Sequence, residues 1–160
     1  MAVHLVRHAS AGSRNPWDPT DADRALDEAG LIQAASLANL LSTAPINKVA
    51  SSPALRCIET VTPVAMGHGL EVNRHDQLFE GADLEAAWEC LSEAANVQGD
   101  TVLCSHGDVI PTLIRRLQLR GMRLHGGSGC AKGSCWTLDG WDGTRFAQGT
   151  YHPPGLVRPR

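Results

Sequence analysis

The sequence has no apolar run that approaches the roughly 20 residues needed for a membrane-spanning helix. Its amino end also lacks a charged segment followed by a long apolar stretch, so we expect neither a membrane span nor a signal peptide. Neither sign of charge is in excess, because 14 basic and 17 acidic residues give a net charge of −3. This balance provides no general attraction for nucleic acid or an anionic lipid surface. We therefore expect no nucleic-acid partner and no membrane partner.

Cysteine is also too sparse for a disulfide framework, since the number is five and the spacings are irregular. Cys57, Cys90 and Cys104 lie in apolar runs, where a free cysteine usually serves as a small core residue. Cys130 and Cys135 lie close together in a glycine-rich stretch, but no second ligand pair with zinc-site spacing accompanies them. We expect a cytoplasmic protein with no metal and no cofactor. The role of Cys130 and Cys135 stays open.

What the sequence does contain is an alternation of short apolar runs with helical periodicities. Strands are predicted at 3–7, 48–51, 70–73, 101–105, 134–138 and 144–149, and helices at 28–42, 52–66, 83–95 and 108–119. Asp27 is predicted to cap the first helix, and Ser52 to cap the second with Pro53 at its first position. Residues 120–133 are predicted to be irregular.

This alternation predicts an α/β fold, a three-layer sandwich with a mostly parallel central sheet and helices on both faces. Residues 1–151 are expected to form a single domain. Residues 152–160 carry three prolines and two arginines and are expected to form a disordered tail.

Basic side chains follow three of the predicted strands. The first strand ends at Arg7 and His8, the second is followed by Arg56 in an early helical turn, and the fourth ends at His106. Parallel strands would bring these ends to one edge of the sheet, beside helix N-termini that attract anions. Any one of these pairs alone is typical of a solvated loop. Together, two arginines and two histidines indicate a site for a phosphoryl group.

Four segments resemble the motifs of the histidine phosphatase superfamily, also called phosphoglycerate mutase-like. Leu5–Ala9 is similar to the family's Arg-His-Gly signature, with alanine for glycine, and Leu26–Ala34 to its Leu-Thr-x-x-Gly-x-x-Gln-Ala helix start. Residues 51–60 are similar to Ser-Ser-Pro-x-x-Arg-x-x-Gln-Thr, with Glu59 for glutamine, and residues 105–107 match the second His-Gly. The resemblance extends from residue 3 to about 150 and implies a phosphoglycerate mutase-like fold.

The resemblance also implies roles. His8 would be the nucleophile that carries the phosphoryl group, and Arg7, Arg56 and His106 would bind that group. Glu80 would protonate the leaving oxygen, with Asp83 and Glu85 as rival acids. Arg14 and Arg24, in or just after the first loop, could bind the rest of the substrate or be plain surface charge.

The substrate is less determined than the chemistry. A chain of 160 residues has little room for a lid, which favours a bulky substrate and hence a protein phosphohistidine phosphatase. Lys132–Trp136 is similar to a segment near the end of Nudix-fused phosphatase domains, which favours nucleotides or other small phosphorylated metabolites. A mutase needs a site that excludes water and is disfavoured. The remaining alternatives are a non-catalytic phosphate-binding module, a non-catalytic partner of a Nudix enzyme, and a metal-dependent hydrolase, whose cation the arginines would repel.

Overall fold

Seven strands form one sheet in the computed structural model, which describes residues 1–15 and 17–155. The strands are β1 Ala2–Arg7, β2 Ile46–Ser51, β3 Val72–Arg74, β4 Asp100–Ser105, β5 Arg123–His125, β6 Cys135–Asp139 and β7 Gln148–His152. The α-helices are α1 Glu28–Leu40, α2 Leu55–Gly67, α3 Leu84–Ala95 and α4 Val109–Leu119. Short 3-10 segments lie at Asp21–Asp23 and Asp76–Leu78.

The strand order is β3-β2-β4-β1-β6-β7-β5, and the half that contains the motifs is parallel. Strands β1, β4, β2 and β3 pair in parallel, whereas β6 is antiparallel to both β1 and β7. The final pair, β5 with β7, is again parallel. The predicted α/β fold with a mostly parallel sheet is therefore confirmed.

Side chains on β1 alternate between two apolar cores, because successive residues of a strand point to opposite faces. Val3 and Leu5 pack with buried residues of α3 and α4, whereas Val6 packs with those of α1 and α2. The sheet is thus covered by helices on both faces, which confirms the three-layer sandwich. The central strands β1 and β4 are buried almost throughout, so their positions are fixed tightly.

Several boundaries differ from the sequence predictions, and the largest differences concern α2, β5 and the last strand. Helix α2 begins at Leu55, not Ser52, because Ala54 is extended and the Ser52 hydroxyl contacts His106, the residue after β4, instead of capping the helix. Strand β5 lies inside the stretch 120–133 that was expected to be irregular. The last strand begins at Gln148, so the loop after β6 is longer than predicted. Pro63 lies inside α2, which continues past it.

The described chain continues beyond residue 151, where the single domain was expected to end. His152 is the last residue of β7, and Gly155 lies against Ser36 of α1. Residues 156–160 of the expected tail lie outside the described residues. Among the residues that the structure describes, no helix is long and apolar enough to cross a membrane.

Candidate active site

The carboxyl ends of β1, β2 and β4 meet at one edge of the sheet. The registers pair Arg7 with Ser105 and Ser51 with Cys104. The segments that follow these strands therefore start side by side, and they supply the predicted site residues. Ligands in open α/β folds bind in this position.

His8 is nearly buried, and its hydrogen bonds determine which ring nitrogen can react. Its Nδ1 lies 2.8 Å from the carbonyl oxygen of Ala9. Because a carbonyl oxygen only accepts, Nδ1 carries the proton and Nε2 keeps its lone pair in the neutral ring. Burial lowers the pKa of His8 from 6.5 to about 3, and the nearby charges of His106, Arg56 and Arg7 act in the same direction against the Ala9 bond. His8 is thus a neutral imidazole with its lone pair on Nε2.

Arg7 is held by the loop before β6 and by a glycine. One of its terminal nitrogens donates to the carbonyl oxygen of Cys130 at 2.6 Å. A Cβ at Gly107 would lie 2.6 Å from the guanidinium carbon of Arg7, so the second His-Gly motif needs glycine for this close approach. The Nε of Arg7 is buried without a hydrogen-bond partner among the described residues. This nitrogen is a donor available for an anion.

Arg56, in the first turn of α2, has a side chain that is only 2% exposed. Its terminal nitrogens lie 3.4 Å from the Asp21 carboxylate and 3.3 Å from that of Glu80. Its Nε is also buried and has no partner within residues 1–15 and 17–155. A buried charge with an unsatisfied donor is costly. Such a group is expected where an anion binds.

His106 lies beside His8, with the two ring centroids 5.4 Å apart. A terminal nitrogen of Arg56 is 3.4 Å from its Nδ1, and since arginine only donates, Nδ1 accepts. Nε2 then carries the proton and donates to the Ser52 hydroxyl at 2.8 Å. Ser52 therefore orients His106, a role that its position before Pro53 did not reveal.

Glu80 lies between two guanidinium groups. Its carboxylate is 2.6 Å from Arg14 on one side and 3.3 Å from Arg56 on the other. The structure thus brings Glu80 and Arg14 to the site predicted for them. Arg14 is more than half exposed, so it can also contact a bound substrate.

The rival acids and Arg24 lie elsewhere. Asp83 precedes α3 as its cap residue, and Glu85 pairs with Arg116 of α4 on the surface. Arg24 donates to the carbonyl oxygen of Ala11 at 2.7 Å and pairs with Asp21. Arg24 thus stabilises the loop after His8. Its guanidinium makes no contact with the other predicted site residues among those described.

The loop after His8 is fixed by the helix start that resembled a family motif. Asp27 caps α1 through the amide of Gly30 and also accepts from the Ser10 hydroxyl at 2.7 Å. Gln33 accepts from the Ser10 amide at 2.9 Å. A Cβ on Gly30 would lie 2.0 Å from the Ser10 carbonyl oxygen, so only glycine fits there. These contacts explain the motif's residues as supports of the loop after His8.

Alanine at position 9 is compatible with this loop. Among the described residues, positive φ angles occur only at glycines, so Ala9 has an ordinary backbone conformation, as expected from its side chain. Its amide donates to the Thr60 hydroxyl at 2.9 Å. The loop thus needs no glycine after His8.

Comparison with known proteins agrees with this geometry. A family model described as the histidine phosphatase superfamily (branch 1) matches residues 3–82, which contain the first three motifs and Glu80. The chain belongs to the histidine phosphatase superfamily. Its first His-Ala, its second His-Gly and the two arginines are the residues that the structure gathers at the sheet edge.

One curated protein and two solved structures show how far the similarity extends along the chain. An 8-oxo-(d)GTP phosphatase of Mycolicibacterium smegmatis is 32% identical over 155 residues, which is 95% of this chain and 48% of the relative. The chain thus spans about half the length of that curated relative. The protein histidine phosphatase SixA, solved with tungstate, has a TM-score of 0.73 at 20% identity and covers 98% of this chain and 97% of its own. A mycobacterial glucosyl-3-phosphoglycerate phosphatase has a TM-score of 0.65 at 15% identity, covering 99% of both chains.

Metal-ligating side chains do not cluster in the described part of this histidine phosphatase. No group of three or more histidine, cysteine, aspartate or glutamate residues is placed to hold a metal ion within residues 1–15 and 17–155. Cys130 contributes its carbonyl oxygen to Arg7, and Cys135 is a buried residue of β6.

The protonation state of His8 can be tested by 15N NMR of the imidazole nitrogens. Because its pKa lies near 3, His8 is expected to stay neutral and protonated at Nδ1 from pH 8 down to about pH 4. Its signals can be assigned by their absence from a His8→Asn variant. A titration of these signals near pH 6.5 would contradict the buried, lone-pair-bearing nucleophile.

Proposed function

We propose that the protein is a metal-independent histidine phosphatase that hydrolyses phosphate esters or phosphoramidates through a phosphohistidine on His8. The observation that carries the proposal is the Nδ1 contact of His8 with the Ala9 carbonyl oxygen. It leaves the Nε2 lone pair beside two arginines that each have an unpartnered buried donor among the described residues. A nucleophile and anion donors in one place are what phosphoryl transfer requires.

In the first step, Nε2 of His8 forms a bond to phosphorus as the bond to the leaving atom breaks. The leaving atom keeps the bonding electron pair and takes a proton from Glu80, which enters this step as the carboxylic acid and leaves it as the carboxylate. Arg7 and Arg56 donate to the phosphoryl oxygens, and His106 completes the phosphoryl pocket beside them. Nδ1 of His8 keeps its proton and its hydrogen bond to the Ala9 carbonyl oxygen throughout this step.

In the second step, water attacks phosphorus and gives its proton to the Glu80 carboxylate. The nitrogen–phosphorus bond breaks, and its electron pair returns to Nε2 of His8. The products are inorganic phosphate and the starting enzyme. The same side chains serve both steps, so no cofactor enters the scheme.

The preferred substrate under this proposal is a protein phosphohistidine. A structural neighbour that matches 98% of this chain is a protein histidine phosphatase, which supports this substrate class. The five free cysteines support a cytoplasmic location.

Nucleotides or other small phosphorylated metabolites are the second candidate. Arg14 is exposed beside Glu80, where it could bind a further anionic group of a small substrate. The segment Lys132–Trp136 and the 32% identical 8-oxo-(d)GTP phosphatase support the same class. Arg24 is the weaker candidate for this role because its guanidinium already contacts Ala11 and Asp21.

A substrate panel distinguishes the two. We expect inorganic phosphate to be released from an aryl phosphate, with equal rates with and without chelator, and kcat/KM to be higher for a phosphohistidine-bearing protein than for a nucleoside diphosphate. The reverse order would favour the small-molecule class. Release that is lost with chelator would contradict the metal-independent mechanism, and no release from any of the three would favour a phosphate-binding module.

A further inference from the structure

The acid Glu80 lies in a tight turn whose shape is fixed. The amide of Ala82 donates to the carbonyl oxygen of Phe79 at 3.0 Å, and Gly81 has a φ of +79°. A positive φ at the third position is the mark of a type II turn, with Glu80 at the second position. The turn thus sets the direction in which the Glu80 side chain leaves the backbone.

Two side chains that flank His106 anchor this turn. The Ser105 hydroxyl donates to the carbonyl oxygen of Leu78 at 2.7 Å. On the other side, the amide of Gly81 donates to the Asp108 carboxylate at 2.7 Å. The segment that supplies His106 to the phosphoryl pocket therefore also holds the turn that supplies Glu80.

The side chain of Asp108 contacts the turn and does not cap its own helix. Asp108 is the cap residue of α4, where an aspartate side chain ordinarily accepts from the first amides of its own helix. Here the side chain makes no such hydrogen bond and reaches the turn instead. The side chain is exposed, so its contact with Gly81 is not imposed by packing in the core.

We infer that Asp108 is a positioning residue for Glu80, holding the turn at 79–82 so that the Glu80 carboxyl meets the leaving atom. The inference rests on the proposed function. It follows because a proton donor must lie within hydrogen-bond distance of the atom it protonates. Arg14 and Arg56 hold the carboxylate of Glu80, whereas Asp108 holds its backbone. Loss of Asp108 loosens the turn but leaves the phosphoryl pocket in place.

The test compares two aryl phosphates that differ in the leaving group's need for a proton. Phenoxide, with a conjugate-acid pKa of about 10, requires protonation, whereas 2,4-dinitrophenoxide leaves as the anion. Asp108→Ala is expected to lower kcat/KM for phenyl phosphate by about 10-fold and that for 2,4-dinitrophenyl phosphate by less than about 2-fold. Asp108→Asn keeps an acceptor oxygen for the Gly81 amide. Its kcat/KM for phenyl phosphate is therefore expected to be close to that of the wild type.

Two further variants complete the design. Gly81→Ala strains the same turn from the other side, because alanine rarely adopts a positive φ, and should give the same leaving-group pattern even if Asp108→Ala does not fold. Asp142→Ala removes another exposed aspartate, whose contacts are with its own surface turn, and should leave both substrates unchanged.

The outcomes separate this inference from the proposed function. Equal losses for both substrates, no loss for either, or an asparagine variant as impaired as the alanine variant would each overturn the positioning role. Turnover of 2,4-dinitrophenyl phosphate by the wild type depends on His8 and does not require Asp108. Its absence would contradict the phosphatase proposal itself.

Discussion

Replacing His8 by alanine is expected to lower kcat/KM for an aryl phosphate by on the order of 10⁴-fold or more, because the covalent route is lost. The remaining arginines and His106 can still bind the phosphoryl group, so the variant should bind inorganic phosphate. It should also fold, since the deleted ring lies at the end of β1 with its neighbours held by backbone contacts. The measurement combines the amount of phosphate released with the intact mass of enzyme from a reaction that was quenched without acid.

The wild type alone should show an acid-labile adduct of one phosphoryl group. His8→Asn is the matched variant, since its amide can still donate to the Ala9 carbonyl oxygen but offers no Nε2 lone pair. His125→Ala removes an exposed histidine on β5, three strands from β1, and should keep full activity. Appreciable turnover by His8→Ala or an adduct on His8→Asn would contradict the assignment of the nucleophile.

The sequence predicted the placement of the chemistry better than the edges of the elements. Arg7, His8 and His106 follow buried strands, and parallel pairing forces such ends together regardless of small errors in boundary. The predicted start of α2 was wrong, but Arg56 still lies in the first turn of that helix because the helix begins at Leu55. The position of a residue relative to the end of a strand depends on topology, and the local sequence pattern predicts it.

Contacts between distant segments could not be read from local pattern. Ser52 has the sequence signature of a helix cap, yet its hydroxyl contacts His106, which is 54 residues away along the chain. Arg24 and Arg14 have similar loop settings, but only Arg14 reaches Glu80. Asp21, which lies beside Arg56, carried no motif at all. Long-range contacts of single polar side chains depend on loop paths, which hydrophobic periodicity does not encode.

The failure to predict β5 and the error in the start of β7 have a related cause. Strand β5 spans three residues at the sheet edge, and β7 begins after a turn in which Asp142 accepts from the amides of Thr144 and Arg145. Neither has the alternating apolar pattern of a longer strand, because each is stabilised mainly by pairing with a neighbour. Both lie on the side of β1 away from the parallel strands that carry the site, so the errors did not affect the functional prediction.

The burial of Arg56 allows a functional role to be tested separately from a structural one. The Arg56 side chain is 2% exposed, whereas its partners Asp21 and Glu80 are 20% and 27% exposed. Those carboxylates can therefore regain water if the guanidinium is removed. Exchange of a buried ion for an apolar side chain of similar volume is often neutral or stabilising. We therefore predict that Arg56 contributes little to stability that an apolar residue could not supply, and that its role is to bind an anion.

Arg56→Met is accordingly expected to lower kcat/KM by about 10²–10³-fold, the scale of one lost preorganised donor. Its free energy of unfolding should stay within about 1 kcal/mol of the wild type. Urea unfolding with and without inorganic phosphate gives a second readout, since phosphate at a hundred times its Kd stabilises the wild type by about 2.7 kcal/mol. That stabilisation should largely vanish in Arg56→Met and persist in Arg116→Met, which removes an arginine over the Trp88 ring. Near-wild-type turnover would remove Arg56 from the site, and a large loss of stability without phosphate would make its role structural.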